Sequence, residues 1–310
     1  MKALVTGGAG FIGSHMTDLL IDEGWDVAVI DDLSSGKTAN VNAKASFYEM
    51  DITADGVKDV FEKEKPKVVF HFAAQISVAD SVRNPIKDAR TNIIGAVNLL
   101  EACAATGAEK FVFSSSGGTV YGEVPGAPAT EDTVFAPFAP YGITKMALEY
   151  YLKFYLVQYG LKYTALRYSN VFGPRQDPHG EAGVVAIFAR AMLEGKTPTI
   201  NGDGSCTRDY VYVKDVAKAN FACVDKGHNE AYNVGTGVTT DVNQIYAAIA
   251  EAIGFKSPAN NGPARAGDLK RSVLDISKAK RELGWEPEFT LKTGIAPTVD
   301  FFREQVAKGK

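Results

Sequence analysis

Thr6-Gly7-Gly8-Ala9-Gly10-Phe11-Ile12-Gly13 decides the fold, because it reads Gly-x-x-Gly-x-x-Gly between a short apolar run and an amphipathic one. Gly7 permits a tight turn after the run Lys2–Thr6, and Gly10 lets backbone approach a pyrophosphate. Gly13 lets a helix pack close to its strand, with phosphates held at the helix N-terminus. Eighteen residues after Gly13, at the end of a second apolar run, come Asp31 and Asp32. A carboxylate there accepts hydrogen bonds from an adenosine ribose and repels a 2′-phosphate, which favours NAD over NADP.

Working outward, apolar runs alternate with amphipathic segments. Lys2–Thr6, Asp26–Ile30, Val68–Phe72, Lys110–Ser114 and Thr164–Tyr168 read as buried strands. Ile12–Glu23, Ala54–Lys65, Asn92–Thr106 and Tyr141–Tyr159 read as helices, with Gly24, Gly107 and Gly160 closing three of them. Such alternation predicts an α/β fold, a doubly wound parallel (Rossmann) sheet. Beyond Pro174 the rhythm loosens into short helices and Gly/Pro loops. The expected organisation is a Rossmann domain over 1–170 and a smaller C-terminal substrate-binding lobe over 171–310, with later segments returning to the sheet.

The chain of 310 residues is 45% apolar, enough for one large core or two modest ones. Its net charge of −4 comes from interspersed acids and bases, so nucleic acid is not an expected partner. Three widely spaced cysteines argue against a disulfide framework, and four scattered histidines argue against zinc. Met1–Val5 runs straight into the glycine motif and no apolar run reaches membrane-spanning length, so a cytoplasmic, soluble protein without a signal peptide is expected.

Further stations recur at the ends of successive strands, where open α/β sheets bind ligands. Asp51-Ile52 follows Phe47–Met50, and Phe72-Ala73-Ala74 offers small residues for a cofactor to lie against. Ser34, Ser35, Gly36, Gln75, Asn92, Ser114 and Tyr168 complete the predicted cofactor set. Tyr141-Gly142-Ile143-Thr144-Lys145 opens a helix, which puts Tyr141 and Lys145 one turn apart on one face. A tyrosine ionises near about 10, and a nearby ammonium with a positive nicotinamide ring is expected to lower that value toward a working base. Upstream, Ser114-Ser115-Ser116 ends a strand facing the same crevice. Either Ser115 or Ser116 suits a proton relay between a sugar hydroxyl and the tyrosine, with Ser116 preferred.

Together these motifs resemble the extended short-chain dehydrogenases/reductases, and most closely the UDP-glucose (UDP-galactose) 4-epimerases, over nearly the whole length. The resemblance implies NAD as cofactor, a UDP-sugar as substrate, and 4-epimerisation by transient C4 oxidation. It also implies roles downstream. Asn170, in Arg167-Tyr168-Ser169-Asn170-Val171-Phe172-Gly173-Pro174-Arg175, would contact the diphosphate, as would Arg208 of Arg208-Asp209-Tyr210 and Arg265 of Arg265-Ala266-Gly267-Asp268. Thr199, Ile200 and Asn201 resemble the uridine-binding stretch, and Val184 and Asp268 join the substrate set.

The chain departs from the family pattern at Asp31-Asp32, where Asp-Asn is usual, and at Gly117-Gly118, one residue longer than usual. Ser169 replaces a frequent aromatic. Ser272 stands where a bulky tyrosine excludes N-acetylated sugars, so UDP-GlcNAc and UDP-GalNAc become expected substrates too. Glycines at 117 and 118 lack the acids a 4,6-dehydratase or a UDP-glucuronate decarboxylase would use there. A UDP-glucuronate 4-epimerase, with Arg175 meeting the carboxylate, stays open beside these alternatives. The resemblance further implies a homodimer through a four-helix interface, with Ile93, Val97, Leu100, Leu152, Tyr155 and Leu156 as candidate contacts.

Overall fold

Apolar runs buried on both faces become parallel strands. The computed structural model describes residues 1–126, 128–179, 183–264 and 269–309. The strands are β1 (Lys2–Thr6), β2 (Asp26–Asp31), β3 (Ser46–Glu49), β4 (Val68–His71), β5 (Lys110–Ser116), β6 (Lys162–Tyr168), β7 (Asn170–Phe172), β8 (Thr199–Asn201), β9 (Thr207–Tyr212), β10 (Glu230–Val234), β11 (Thr239–Asp241), β12 (Asn260–Gly262) and β13 (Arg271–Ser272). The helices are α1 (Phe11–Asp22), α2 (Val57–Glu64), α3 (Val78–Arg83), α4 (Pro85–Ala89), α5 (Ala96–Thr106), α6 (Gly117–Val120), α7 (Pro140–Tyr159), α8 (Val184–Leu193), α9 (Val213–Ala222), α10 (Val242–Ile253), α11 (Ser277–Leu283) and α12 (Leu291–Lys308).

Among the described residues the main sheet runs β10-β6-β5-β4-β1-β2-β3, and every pair in it is parallel. Strand order reverses between β1 and β4, which opens a crevice at their carboxyl ends. Period-two alternation feeds two apolar layers. Ala3, Val5, Val27, Val29 and Val112 point to the layer shared with Met16 and Leu20 of α1 and Val216 of α9. Leu4, Ala28, Ile30, Phe111 and Phe113 point to the layer shared with Phe61, Leu99, Leu148 and Leu152. A third cluster, with Phe172, Tyr212, Ile245, Val299 and Phe302, centres the C-terminal lobe on β9, α10 and α12.

Where the sequence reads a single helix over 92–106, the chain makes α4, a π-helical stretch over Arg90–Gly95 and then α5. Asn92 is drawn inward there by hydrogen bonds, and Gly95 fits because a Cβ on it would sit 2.6 Å from Ile52 Cδ1. The division near residue 170 is not a clean cut. β10 adds to the sheet beside β6, and Ala279 and Leu283 of α11 join the first apolar layer. Among the described residues, no helix is long and apolar enough to cross a membrane, and no group of three or more His, Cys, Asp or Glu is placed to hold a metal ion.

Candidate active site

The glycine turn is shaped by close approach. Gly7 has φ +72°, and a Cβ on it would lie 2.6 Å from the Ala73 amide nitrogen; on Gly13 a Cβ would lie 2.2 Å from the Gly7 carbonyl oxygen. Gly10 starts α1 without a side-chain cap, so the first N–H groups of the helix are left for a ligand. Asp31 ends β2 buried, its Oδ2 accepting from the Ala9 amide at 2.9 Å and its Oδ1 from the Leu33 amide at 2.9 Å. Two acceptor positions per carboxylate oxygen leave room for a ribose diol beside these bonds. Loss of hydration raises its pKa, with the charge of Asp32 adding to the rise and the amides of Leu33, Ala9 and Gly10 acting against it. Gly36 belongs here as spacing, since a Cβ on it would meet Asp31 Oδ1 at 2.6 Å. Asp32 is exposed instead, and accepts from both the amide and the hydroxyl of Ser34.

Gly7, Gly10, Phe11, Ile12 and Gly13 line one continuous crevice with Asp31, Asp32, Ser34, Ser35, Asp51 and Ile52. Phe72, Ala73, Ala74, Ser114, Ser115, Tyr141, Lys145 and Tyr168 continue it. Met50, Ile76 and Thr91 also line it and carry no motif that would single them out. Gln75 and Asn92 lie just behind this wall, the Gln75 amide donating to Asn92 Oδ1 at 2.8 Å. Tyr168 contributes its ring, because its hydroxyl is engaged by Asn220. This cradle fits NAD, with bare amides for the diphosphate and a carboxylate at the second strand for the ribose.

Tyr141 sits in the first turn of α7 and Lys145 one turn further in. The Lys145 ammonium donates to the Ser114 carbonyl at 2.8 Å and lies 5.6 Å from the Tyr141 ring centre. Burial pulls its pKa down to about 8, opposed by the negative charge of Asp88. The Tyr141 phenol is pulled in opposite directions by its surroundings. Loss of hydration pushes it above its ordinary value, Asp88 pushes the same way, and a hydrogen bond with the Ser116 side chain acts against both. The Lys145 ammonium, 5.6 Å from the ring, is the nearby positive charge that favours the phenolate.

The three serines point three ways. Ser114 Oγ donates to the His71 carbonyl at 2.9 Å, Ser115 Oγ to Glu149 Oε1 at 2.7 Å, and Ser116 meets Tyr141. Strand alternation turns Ser115 to the face opposite its neighbours. There it joins Glu149, which holds Arg167 through Nε at 3.0 Å and Nη2 at 2.6 Å. Arg167 is therefore a core cation, stacked on Phe135 and Tyr121.

The strand exit abuts the lobe. A Cβ on Gly117 would strike Leu274 at 2.7 Å, whereas one on Gly118 would reach only Ser272 Oγ, at 3.7 Å. Ser272 is the register partner of Arg208 across β13 and β9. Arg208 is half-buried, its Nη1 donating to the Thr207 and Leu269 carbonyls. Asp209, fully buried, accepts from the Thr236 amide and hydroxyl and the Gly237 amide, which ties β9 to the turn after β10. Asn170 and Thr199 are exposed, Val184 and Asn201 half-exposed and Ile200 buried. Arg265 and Asp268 lie outside the described residues. Arg175 pairs with Asp18 of α1 at 2.7 Å.

Residues 3–235 match the model of the NAD dependent epimerase/dehydratase family. The chain belongs to that family. Among its relatives, the UDP-glucose 4-epimerase of Mycolicibacterium smegmatis is 47% identical over 98% of this chain and 99% of its own. Among solved structures, UDP-glucose 4-epimerase from Thermotoga maritima, with UDP-glucose, is 52% identical with a TM-score of 0.97, over 99% of this chain and all of that one. The Thermus thermophilus UDP-glucose 4-epimerase complex with NAD gives 47% and 0.92, over 98% of this chain and 99% of that one. As in the rest of the family, the cofactor is NAD.

Proposed function

We propose that this chain is an NAD-dependent 4-epimerase interconverting UDP-glucose and UDP-galactose, with Tyr141 as base, Ser116 as relay and Lys145 as their electrostatic partner. The observation that carries it is the meeting of two halves at one point. Ser116 at the end of β5 meets Tyr141 and Lys145 of α7, and two residues on Gly118 faces Ser272 of β13, the register partner of Arg208 in β9.

Gly7, Gly10 and the start of α1 hold the cofactor diphosphate, Asp31 the adenosine ribose and Lys145 the nicotinamide ribose. Bound there, NAD would supply the acceptor for the hydride of the sugar C4 and the donor for its return. Tyr141 takes the C4 hydroxyl proton through Ser116 and gives it back. Burial raises its phenol, and the Lys145 ammonium, joined by the positive nicotinamide ring once NAD is bound, would favour the phenolate. Arg208, with Arg265, grips the UDP diphosphate and leaves the sugar as the free end. Binding energy is thereby spent away from the reacting carbon.

Ser272 and the bare Gly118 leave room beside the sugar, and this favours N-acetylhexosamines as additional substrates. Arg175 is engaged by Asp18, which argues against its meeting a uronate carboxylate. Gly117 and Gly118 offer no acid for dehydration. The three cysteines are free, in keeping with a cytoplasmic enzyme.

A homodimer through α5 and α7 is part of the proposal; of the residues expected at its interface, Ile93, Val97 and Leu156 are half-exposed. Leu100, Leu152 and Tyr155 pack into the protomer's own core. The exposed face carries Ile94, Tyr150, Tyr151, Phe154 and Val157, an apolar patch of the kind that two copies bury.

An NMR product assay with UDP-galactose, UDP-GalNAc and UDP-glucuronate tests the reading. Conversion of the first two to their 4-epimers is expected; a 4-keto-6-deoxy sugar or a pentose would overturn it.

A further inference from the structure

Asp88 is fully buried at the end of α4, carries no motif and takes no part in the chemistry above. Its Oδ1 accepts from Gln75 Nε2 at 2.8 Å and Asn92 Nδ2 at 3.1 Å, and its Oδ2 accepts from Thr144 Oγ1 at 3.2 Å. These donors come from separate elements. Gln75 continues the β4 exit that walls the cofactor crevice. Asn92 belongs to the π-helical stretch, next to the crevice residue Thr91. Thr144 precedes Lys145, and its hydroxyl also reaches the Tyr141 carbonyl at 2.9 Å. Asn92 closes the loop by donating to the Gln75 carbonyl at 3.0 Å. One carboxylate thus joins the crevice wall, the π turn and the first turn of the catalytic helix.

We propose that Asp88 is the positioning residue of the catalytic pair, fixing Tyr141 and Lys145 against the cofactor wall and setting the electrostatics that both feel. The proposal rests on the reading of Tyr141 and Lys145 as the catalytic pair.

A buried carboxylate is costly unless its acceptors are filled, and here they are filled by N–H and O–H groups. Of the titratable groups around it, Lys145 and Tyr141 face it from α7, and His71 of β4, buried and held neutral, lies beyond Lys145. Asp80 and Arg83 of the neighbouring α3 are exposed and paired with each other. The charge of Asp88 opposes the burial that depresses Lys145 and adds to the burial that raises Tyr141. It therefore moves both groups in one direction. A residue that merely stabilised the fold would not shift two titrations together.

Asp88→Asn removes the charge and keeps the shape, since the amide oxygen can accept from Gln75 and Asn92 while the amide donates to Thr144. With NAD-loaded enzyme and UDP-galactose, both limbs of the pH profile of kcat/KM are expected to move to lower pH by about one unit. Thr144→Val keeps the charge and cuts the tie to α7; it is expected to lower kcat at least tenfold with the limbs unmoved, and it decides the matter if Asp88→Asn does not fold. Limbs unmoved in Asp88→Asn, or wild-type kcat in Thr144→Val, would overturn the proposal while an inactive Tyr141→Phe leaves the catalytic reading standing. A Tyr141→Phe enzyme with full turnover would overturn both.

Discussion

Gly118→Val tests how the sugar site is shaped. Gly117 is tightly packed, because a Cβ there would come within 2.7 Å of the Leu274 side chain and force it to shift. Gly118 faces no such demand. Among the described residues outside its own turn, Ser272 Oγ is the only atom within 4 Å of its Cβ position, at 3.7 Å. The backbone is helical, so valine costs little there and adds two methyl groups to the open side facing Ser272. Each methyl-sized change in a substrate pocket is worth about 1–3 kcal/mol, or about 10- to 200-fold in kcat/KM. UDP-glucose carries only a hydroxyl at C2, whereas the N-acetyl sugars need several more atoms. Gly118→Val is therefore expected to cut kcat/KM for UDP-GalNAc by about 10- to 200-fold and to leave UDP-galactose within about threefold. Coupled assays on both substrates, with thermal unfolding as a control, read this directly. An equal loss on both substrates with an unchanged unfolding midpoint would refute the reasoning.

Ser116→Ala is expected to lower kcat by about a hundredfold or more through loss of the relay. Ser115→Ala should leave kcat near wild type and cost about 1 kcal/mol of stability by removing a bond to Glu149, measured by urea unfolding. Lys145, depressed to about 8, should give kcat/KM a basic limb near that pH, absent in Lys145→Met. Its folded pKa lies below its unfolded value, so between about pH 8 and 10.5 the unfolded chain binds more protons, and this residue adds stability as pH rises. The activity loss in that window is then not unfolding through Lys145, which circular dichroism across the same range checks. Phe154→Glu with Val157→Glu should turn a dimer into a monomer by light scattering, because a two-fold interface would set like charges against each other.

Much of this was legible because it is local. Gly7 and Gly13 declare a turn that tolerates no side chain, and Asp31 ends its strand in the wall of the crevice. The choice between Ser115 and Ser116 stayed open in the sequence, and the structure divides them by turning Ser115 toward Glu149 and Ser116 toward Tyr141. The exposed face of α7 was not legible either. Its apolar residues ring the helix, and no periodicity says that Leu152 and Tyr155 meet the sheet while Phe154 and Val157 meet solvent. The π turn and Asp88 were hidden for a related reason. They follow from partners far away in sequence, Gln75 and Thr144, and nothing in Pro85–Gly95 announces them. Nor does the Tyr-x-x-x-Lys spacing reveal how strongly burial opposes ionisation of the phenol.

The central claim is that hydride leaves C4 and returns to it while Tyr141 handles only the proton. The most direct measurement is the conversion of UDP-galactose by NAD-loaded enzyme in D2O, followed by NMR at C4 of the product. The expected result is UDP-glucose that retains protium at C4, with turnover abolished in Tyr141→Phe. Deuterium at C4, or unchanged turnover in Tyr141→Phe, would contradict it.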